Sequence, residues 1–102
     1  MGKVLLIYKS NGVYLGFISD GYIYSRDGDY LGWLDGNISW DISGKFRGIL
    51  NVINGSNYIL MDKFAILPLP RMPKTPLMKP VIPNPPPNIT PIQLPVGFID
   101  GF

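Results

Sequence analysis

Short apolar runs alternate with X-Gly pairs along the first half of the chain. Val4–Tyr8 ends at Asn11-Gly12, Val13–Ile18 at Asp20-Gly21 and Tyr22–Ser25 at Asp27-Gly28. Tyr30–Leu34 then ends at Asp35-Gly36, Ile38–Ile42 at Ser43-Gly44 and Phe46–Ile53 at Asn54-Gly55. The runs are rich in β-branched and aromatic residues, which suit a pleated, half-buried surface. Asn-Gly and Asp-Gly pairs favour two-residue type I′ turns, because both central residues need positive φ. No window shows a helical period, and glycine recurs too often for one. The pattern predicts sequential antiparallel hairpins.

A repeat underlies the pattern. An aromatic, three residues, Gly, one residue, an aromatic, one residue and Gly recur at Tyr8/Gly12/Tyr14/Gly16, Tyr24/Gly28/Tyr30/Gly32 and Trp40/Gly44/Phe46/Gly48, each 16 residues after the last. A worn fourth copy, Tyr58/Asp62/Phe64/Ile66, keeps both aromatics and loses both glycines. There Asp62-Lys63 replaces the X-Gly turn, between Tyr58–Leu60 and Phe64–Leu67. The fold class expected is all-β: four sequential antiparallel hairpins, about eight short strands, followed by an extended Pro-rich arm.

Two-residue turns fix a register, and directly opposed residues share a face. Tyr8 then opposes Leu15, Tyr24 opposes Leu31, and Trp40 opposes Arg47 as a cation–π pair. One face collects Leu6, Tyr8, Leu15 and Phe17, then Tyr22, Tyr24, Leu31 and Trp33, then Ile38, Trp40, Arg47 and Ile49. The other collects Ile7, Tyr14, Gly16 and Ile18 and their counterparts. Both faces are apolar, whereas an antiparallel meander commonly keeps one face wet. Something must cover each. The repeated strand glycines opposite Ile7 and Ile23 point to a bend or to a close backbone approach.

Composition divides the chain. All 11 prolines lie at Pro68 or later, so residues 1–67 read as a hairpin domain and 68–102 as an extended Pro-rich arm. At 102 residues without cysteine the chain holds one small domain that no disulfide staples, and oligomerisation is a sensible source of stability. The net charge of +2 arises from the arm, since the six basic and six acidic residues up to Lys63 cancel. A neutral body with a thinly basic arm makes a poor nucleic-acid footprint.

Candidate chemistry is sparse. The chain has no His, Cys or Glu, which removes the commonest general bases, thiol nucleophiles and soft metal ligands. Asp20, Asp27 and Asp35 each precede a turn glycine, a structural position. Asp27-Gly28-Asp29 lacks the later acidic ligand of a calcium loop. No enzyme activity, cofactor or metal is therefore expected. Tyr8, Tyr22, Tyr24, Trp33 and Trp40 form a possible aromatic face for stacking. Polyproline II displays the arm's side chains along an extended backbone. Its apolar residues Leu67, Leu69, Met72, Leu77, Met78, Val81, Ile82, Ile92, Leu94, Phe98 and Phe102 are the candidate interaction residues, because disordered linkers are poor in such side chains. Val4–Tyr8 is too short for a signal sequence, and no run is long enough to span a membrane. Met1-Gly2 lacks the Ser or Thr that a myristoylation start requires, since Leu6 stands there. A soluble, cytoplasmic chain is expected.

The run Tyr14-Leu-Gly-Phe, Tyr22-Ile-Tyr-Ser-Arg-Asp-Gly28, Tyr30-Leu-Gly-Trp-Leu-Asp-Gly36 resembles the bacterial 4-fold beta flower domain family. The resemblance covers residues 1–67 by motif and the arm by composition. It implies a fold, not an activity, and brings no catalytic residues. A slighter resemblance, to MORN repeats, rests on Tyr14–Ile18 and Tyr30–Leu34, and the usual period of those repeats is longer than the one here. The function expected is a non-enzymatic structural or assembly protein. It would dock to copies of itself or to a larger complex through its apolar faces and arm. The alternative is a binding module whose aromatic face holds a glycan, a peptide or single-stranded nucleic acid.

Overall fold

The alternating runs become eight strands in a computed structural model that describes residues 4–102; the Met1-Gly2 start and Lys3 lie outside the described residues. The strands are β1 (Val4–Tyr8), β2 (Tyr14–Ser19), β3 (Tyr22–Ser25), β4 (Tyr30–Asp35), β5 (Ile38–Asp41), β6 (Phe46–Ile53), β7 (Ser56–Asp62) and β8 (Phe98–Asp100). There is no helix among the described residues. Neighbours in sequence are neighbours in the sheet, and β1 also pairs with β7, so seven strands close into a barrel. An up-and-down meander of an odd number of strands brings its first and last strands together in the same direction. The β1–β7 seam is accordingly parallel, through Ile7↔Asn57 and Tyr8↔Tyr58. Closure pairs β1 with the first half of the β7 edge and leaves the second half to β8.

The X-Gly pairs make three kinds of turn; at Asp35-Gly36 the aspartate ends β4 opposite Ile38, and Gly36-Asn37 form the turn with Gly36 at a φ of 63°. Asp20-Gly21 and Asn54-Gly55 are two-residue turns with φ of 53° and 81°, and of 52° and 79°. Asn11-Gly12, Asp27-Gly28 and Ser43-Gly44 instead end three-residue loops. In the first, Gly12 N–H donates to the Lys9 carbonyl and Lys9 N–H to the Val13 carbonyl, each at 2.9 Å. The same pairs of bonds join Gly28 to Ser25 and Ser25 to Asp29, then Gly44 to Asp41 and Asp41 to Lys45. A glycine with φ near +90° closes each loop (86°, 90° and 91°), the geometry of a type I turn followed by a bulge.

That extra loop residue, followed by a strand bulge at Leu15, Leu31 and Arg47, corrects the expected register. Ile7 faces Gly16 as predicted, but Tyr8 faces Tyr14, not Leu15. The same slip puts Tyr24 opposite Tyr30 and Trp40 opposite Phe46. A bulge exchanges the faces of the residues beside it. Tyr14 therefore joins Tyr8 outside, with ring centroids 5.9 Å apart. Leu15 and Leu31 turn inward onto the core of Ile7, Ile18, Ile23 and Ile59. Arg47, at the equivalent place, leaves Trp40; its guanidinium lies 4.9 Å from the centre of the Phe102 ring. In the third hairpin Ser39 replaces the core isoleucine, and its hydroxyl donates to the Gly48 carbonyl at 2.9 Å.

The fourth hairpin does not close as predicted. Asp62–Ala65 form a turn, but Phe64–Leu67 is not a strand, and Phe64 and Ile66 are exposed. The partner of β7 is β8, through Leu60↔Asp100, Met61↔Ile99 and Asp62↔Phe98. Phe98–Asp100, assigned by composition to the arm, belong to the sheet. Phe64-Ala-Ile-Leu67 leads straight into Pro68, whose missing N–H suits it poorly to a ladder. Phe98-Ile-Asp100 carries all its donors.

Candidate functional site

The proline-rich segment between Lys63 and Gly97 carries no strand and runs round the outside of the barrel. It meets the three glycine-ended loops in reverse order. Arg71 N–H donates to the Gly44 carbonyl at 2.7 Å, and Ile89 N–H to the Gly12 carbonyl at 2.9 Å. Between them the Ile82 side chain lies over Gly28. A side chain at Gly12 or Gly44 would collide with the carbonyl of Ile89 or Arg71. The loop glycines thus serve both the turn and the docking of this segment. Further bonds run from the Tyr30 hydroxyl to the Lys74 carbonyl (2.6 Å), from Tyr14 N–H to Asn88 Oδ1 (3.1 Å) and from Ile92 N–H to the Ser10 carbonyl (2.8 Å).

The segment sorts the candidate interaction residues. Ile92 and Leu94, with Ile89, pack on Tyr8, Tyr14, Tyr58 and Leu60. Phe102 packs against the inner core. Ile82 covers Gly28, and Phe98 is a β8 residue. Leu67, Leu69, Met72, Leu77, Met78 and Val81 are exposed to solvent, Leu69 by 86 %, Met72 by 87 % and Leu77 by 99 %. The candidate site is this outward ridge together with the cleft at its foot. The cleft, about 490 Å³, lies between the β2–β3 turn (Ser19, Asp20, Tyr22), Tyr24 and the stretch Pro76–Val81.

The aromatic face is largely covered. Trp33 and Trp40 are 1 % and 3 % exposed, Tyr8 and Tyr24 are buried, and Tyr22 is half-buried. The cation over Trp40 is Arg71, 5.1 Å from the ring centre, and that arginine also pairs with Asp35 at 2.9 Å. Proline-rich composition gives no hint of this partner, because the contact joins positions far apart in sequence. Phe17 stacks on Tyr24 at 5.2 Å. Burial raises the pKa of Tyr14, Tyr24 and Tyr30, and neighbouring tyrosines push the same way. These hydroxyls stay neutral: that of Tyr30 donates to the Lys74 carbonyl, while that of Tyr14 is buried without a hydrogen-bond partner.

Asp41 and Asp62 hold turns through their carboxylates, whereas Asp35 pairs with Arg71 and Asp100 bonds Ser10. Asp41 Oδ1 accepts from Ser43 N–H, Ser43 Oγ and Lys45 N–H at 2.9, 2.7 and 3.0 Å. Burial alone would raise the Asp41 pKa, but these bonds and the nearby Arg47 together hold it below the ordinary value. Among the described residues no group of three or more His, Cys, Asp or Glu is placed to hold a metal ion, and no helix is long and apolar enough to cross a membrane.

A family model described as 4-fold beta flower protein matches residues 2–98. No curated protein and no solved structure matches the chain.

Proposed function

The chain belongs to the 4-fold beta flower family, and from that premise we propose that it is a non-enzymatic assembly protein. In this reading a repeat-built β body carries a Pro-rich arm, and the arm's outward apolar ridge docks the protein to copies of itself or to a larger complex. Four equivalent hairpin units make up the body. Ile7, Ile23 and Ser39 each oppose a glycine, Gly16, Gly32 and Gly48. Gly101 takes the same place for Ile59, donating its N–H to the Ile59 carbonyl at 2.9 Å. The fourth unit is then β7 with residues 98–102, and the arm is its greatly enlarged hairpin loop.

The observation that carries the proposal is the ridge itself. Leu69, Met72, Leu77, Met78 and Val81 are each at least 80 % exposed on a segment bonded to the body at Gly44 and Gly12. Five large apolar side chains this exposed within 13 residues of an ordered segment point to an interaction surface. A backbone held extended by prolines and by these bonds also loses little entropy when it binds. The absence of His, Cys and Glu supports a role without catalysis, and the neutral body supports protein rather than nucleic acid as partner. Cytoplasmic residence is part of the same proposal.

The test is the mass of the full-length chain in solution as concentration rises, beside a chain carrying Leu77→Ser and Met78→Ser. The wild type is expected to exceed the mass of one chain and the variant to fall towards it, with the same circular dichroism spectrum. A wild type that stays a single chain at every concentration, and that no partner protein retains, removes the proposal.

A further inference from the structure

The cleft at the foot of the ridge has a wall that is also a plug. One side is body: Asp20, Tyr22 and Tyr24. The other is the arm stretch Pro76–Val81, which includes Leu77 and Met78. Those two side chains border the cleft yet leave 99 % and 80 % of their surface to solvent. The arm bridges the cleft without filling it. A smaller hollow, lined by Gly28, Tyr24, Tyr30 and the same arm residues, lies on its other side.

Charge makes the arrangement self-complementary. Asp20 and Lys79 both line the cleft, but they form no ion pair with each other. The ion pairs among the described residues are Arg47–Asp41 and Arg71–Asp35. Asp20 is exposed on the body side and Lys79 on the arm side. From Pro68 to Ile99 the arm is otherwise basic, with Arg71 and Lys74 and no acid. A patch that holds an acid and a base on opposite walls, with an apolar plug beside an apolar recess, matches its own two-fold image. A two-fold contact pairs the same surface on both chains, residue i with j and j with i.

We propose that a second copy of this chain occupies the cleft. Leu77 and Met78 of each copy enter the other's cleft against Tyr22 and Tyr24, and each Lys79 faces the other copy's Asp20. The inference rests on the assembly reading above and names its partner and contact. It also accounts for the exposed Leu77, which the fold of one chain leaves without a neighbour. The apolar plug supplies affinity, while the charge pair sets register and excludes wrong partners.

The experiment uses the full-length chain and three single variants. Wild type is expected to be a dimer, and Leu77→Asp a monomer with an unchanged circular dichroism spectrum, since Leu77 makes no core contact. Asp20→Lys and Lys79→Asp each place like charges face to face twice per dimer. Each is expected to weaken the dimer dissociation constant at least about tenfold. Mixing these two variants is expected to restore the dimer as a heterodimer, because both cross-pairs are again opposite in sign; isotope labelling of one partner identifies it by mass. Asp20 has positive φ, which lysine accepts less readily, so recovery in the mixture also shows that the variant is folded. If Asp20→Lys does not fold, Leu77→Asp and Lys79→Asp decide. An oligomer whose mass none of the variants changes overturns this contact and leaves assembly by another surface standing. A wild type that is monomeric at every concentration and retained by no partner overturns both.

Discussion

Ser10 and Asp100, 90 positions apart, are joined by two hydrogen bonds: Ser10 N–H donates to one carboxylate oxygen and the Ser10 hydroxyl to the other, each at 2.8 Å. At the matching place one repeat later, Arg26 N–H donates to the Leu15 carbonyl at 3.0 Å. Where the chain comes round to its own beginning, a side chain takes over the work of the backbone. Charge-assisted bonds to backbone and hydroxyl donors are stronger than neutral ones. Asp100→Ala is expected to cost about 1–3 kcal/mol, because two half-buried donors lose their acceptor. The thermal midpoint should fall by about 4–8 °C per kcal/mol. A midpoint within a degree of wild type contradicts the closure argument.

The loop glycines differ in what stands over them. Gly44 and Gly55 both have positive φ, but space above Gly55 is open, while the Arg71 carbonyl stands over Gly44. Gly55→Ala carries only the backbone cost, about 1–2 kcal/mol. Gly44→Ala carries that cost and must also lift the arm, for a total above about 3 kcal/mol. Lifting the arm removes Arg71 from Trp40, so iodide quenching of tryptophan fluorescence should increase in Gly44→Ala and not in Gly55→Ala. Equal melting points and equal quenching for the two would show that the arm does not depend on this contact.

Truncation after Leu67 removes β8 and uncovers Tyr8, Tyr14 and Tyr58, which Ile89, Ile92 and Leu94 cover. The truncated chain is expected to lose its near-ultraviolet circular dichroism and to aggregate. A folded, soluble 1–67 fragment would show that the residues following Leu67 are dispensable for the barrel.

Asp41 sets an acid limb. Its pKa in the fold lies below the ordinary value of 3.8, so the ionised form binds its loop more tightly than the protonated form does. The stability it adds is fully present above that value and is lost as pH falls through the lower folded value. Asp41→Asn should therefore be less stable than wild type at neutral pH. The gap should narrow as pH drops below 3.8, read from urea unfolding at several pH values. A gap that stays constant from neutral pH into the acid limb contradicts the assignment.

Much of the β content was legible. Turn glycines at Asp20-Gly21 and Asn54-Gly55, and the pairings Ile7↔Gly16 and Ile23↔Gly32, follow from local chemistry and a period-two backbone. The bulge beside Tyr8, Tyr24 and Trp40 was not legible, because Asn-Gly serves a two-residue turn and a three-residue loop equally well. That one residue moved Leu15, Leu31 and Arg47 to the inner side. The candidate interaction residues were legible as a group and not as two groups. Leu77 and Leu94 look alike in a Pro-rich run, yet one faces solvent and the other packs on the tyrosines.

By itself the sequence determined an all-β body, the place of its turns and the start of the proline-rich segment, since each depends on φ preferences and side-chain alternation within a few residues. Only the tertiary structure decided that the end of the chain supplies β8, that the barrel closes through a parallel seam, and that Arg71 rather than Arg47 lies over Trp40. Those outcomes depend on which distant segments meet. An odd number of strands brings β1 against β7 in the same direction, and the donors that Phe98-Ile-Asp100 keeps make it the better partner for β7's remaining edge.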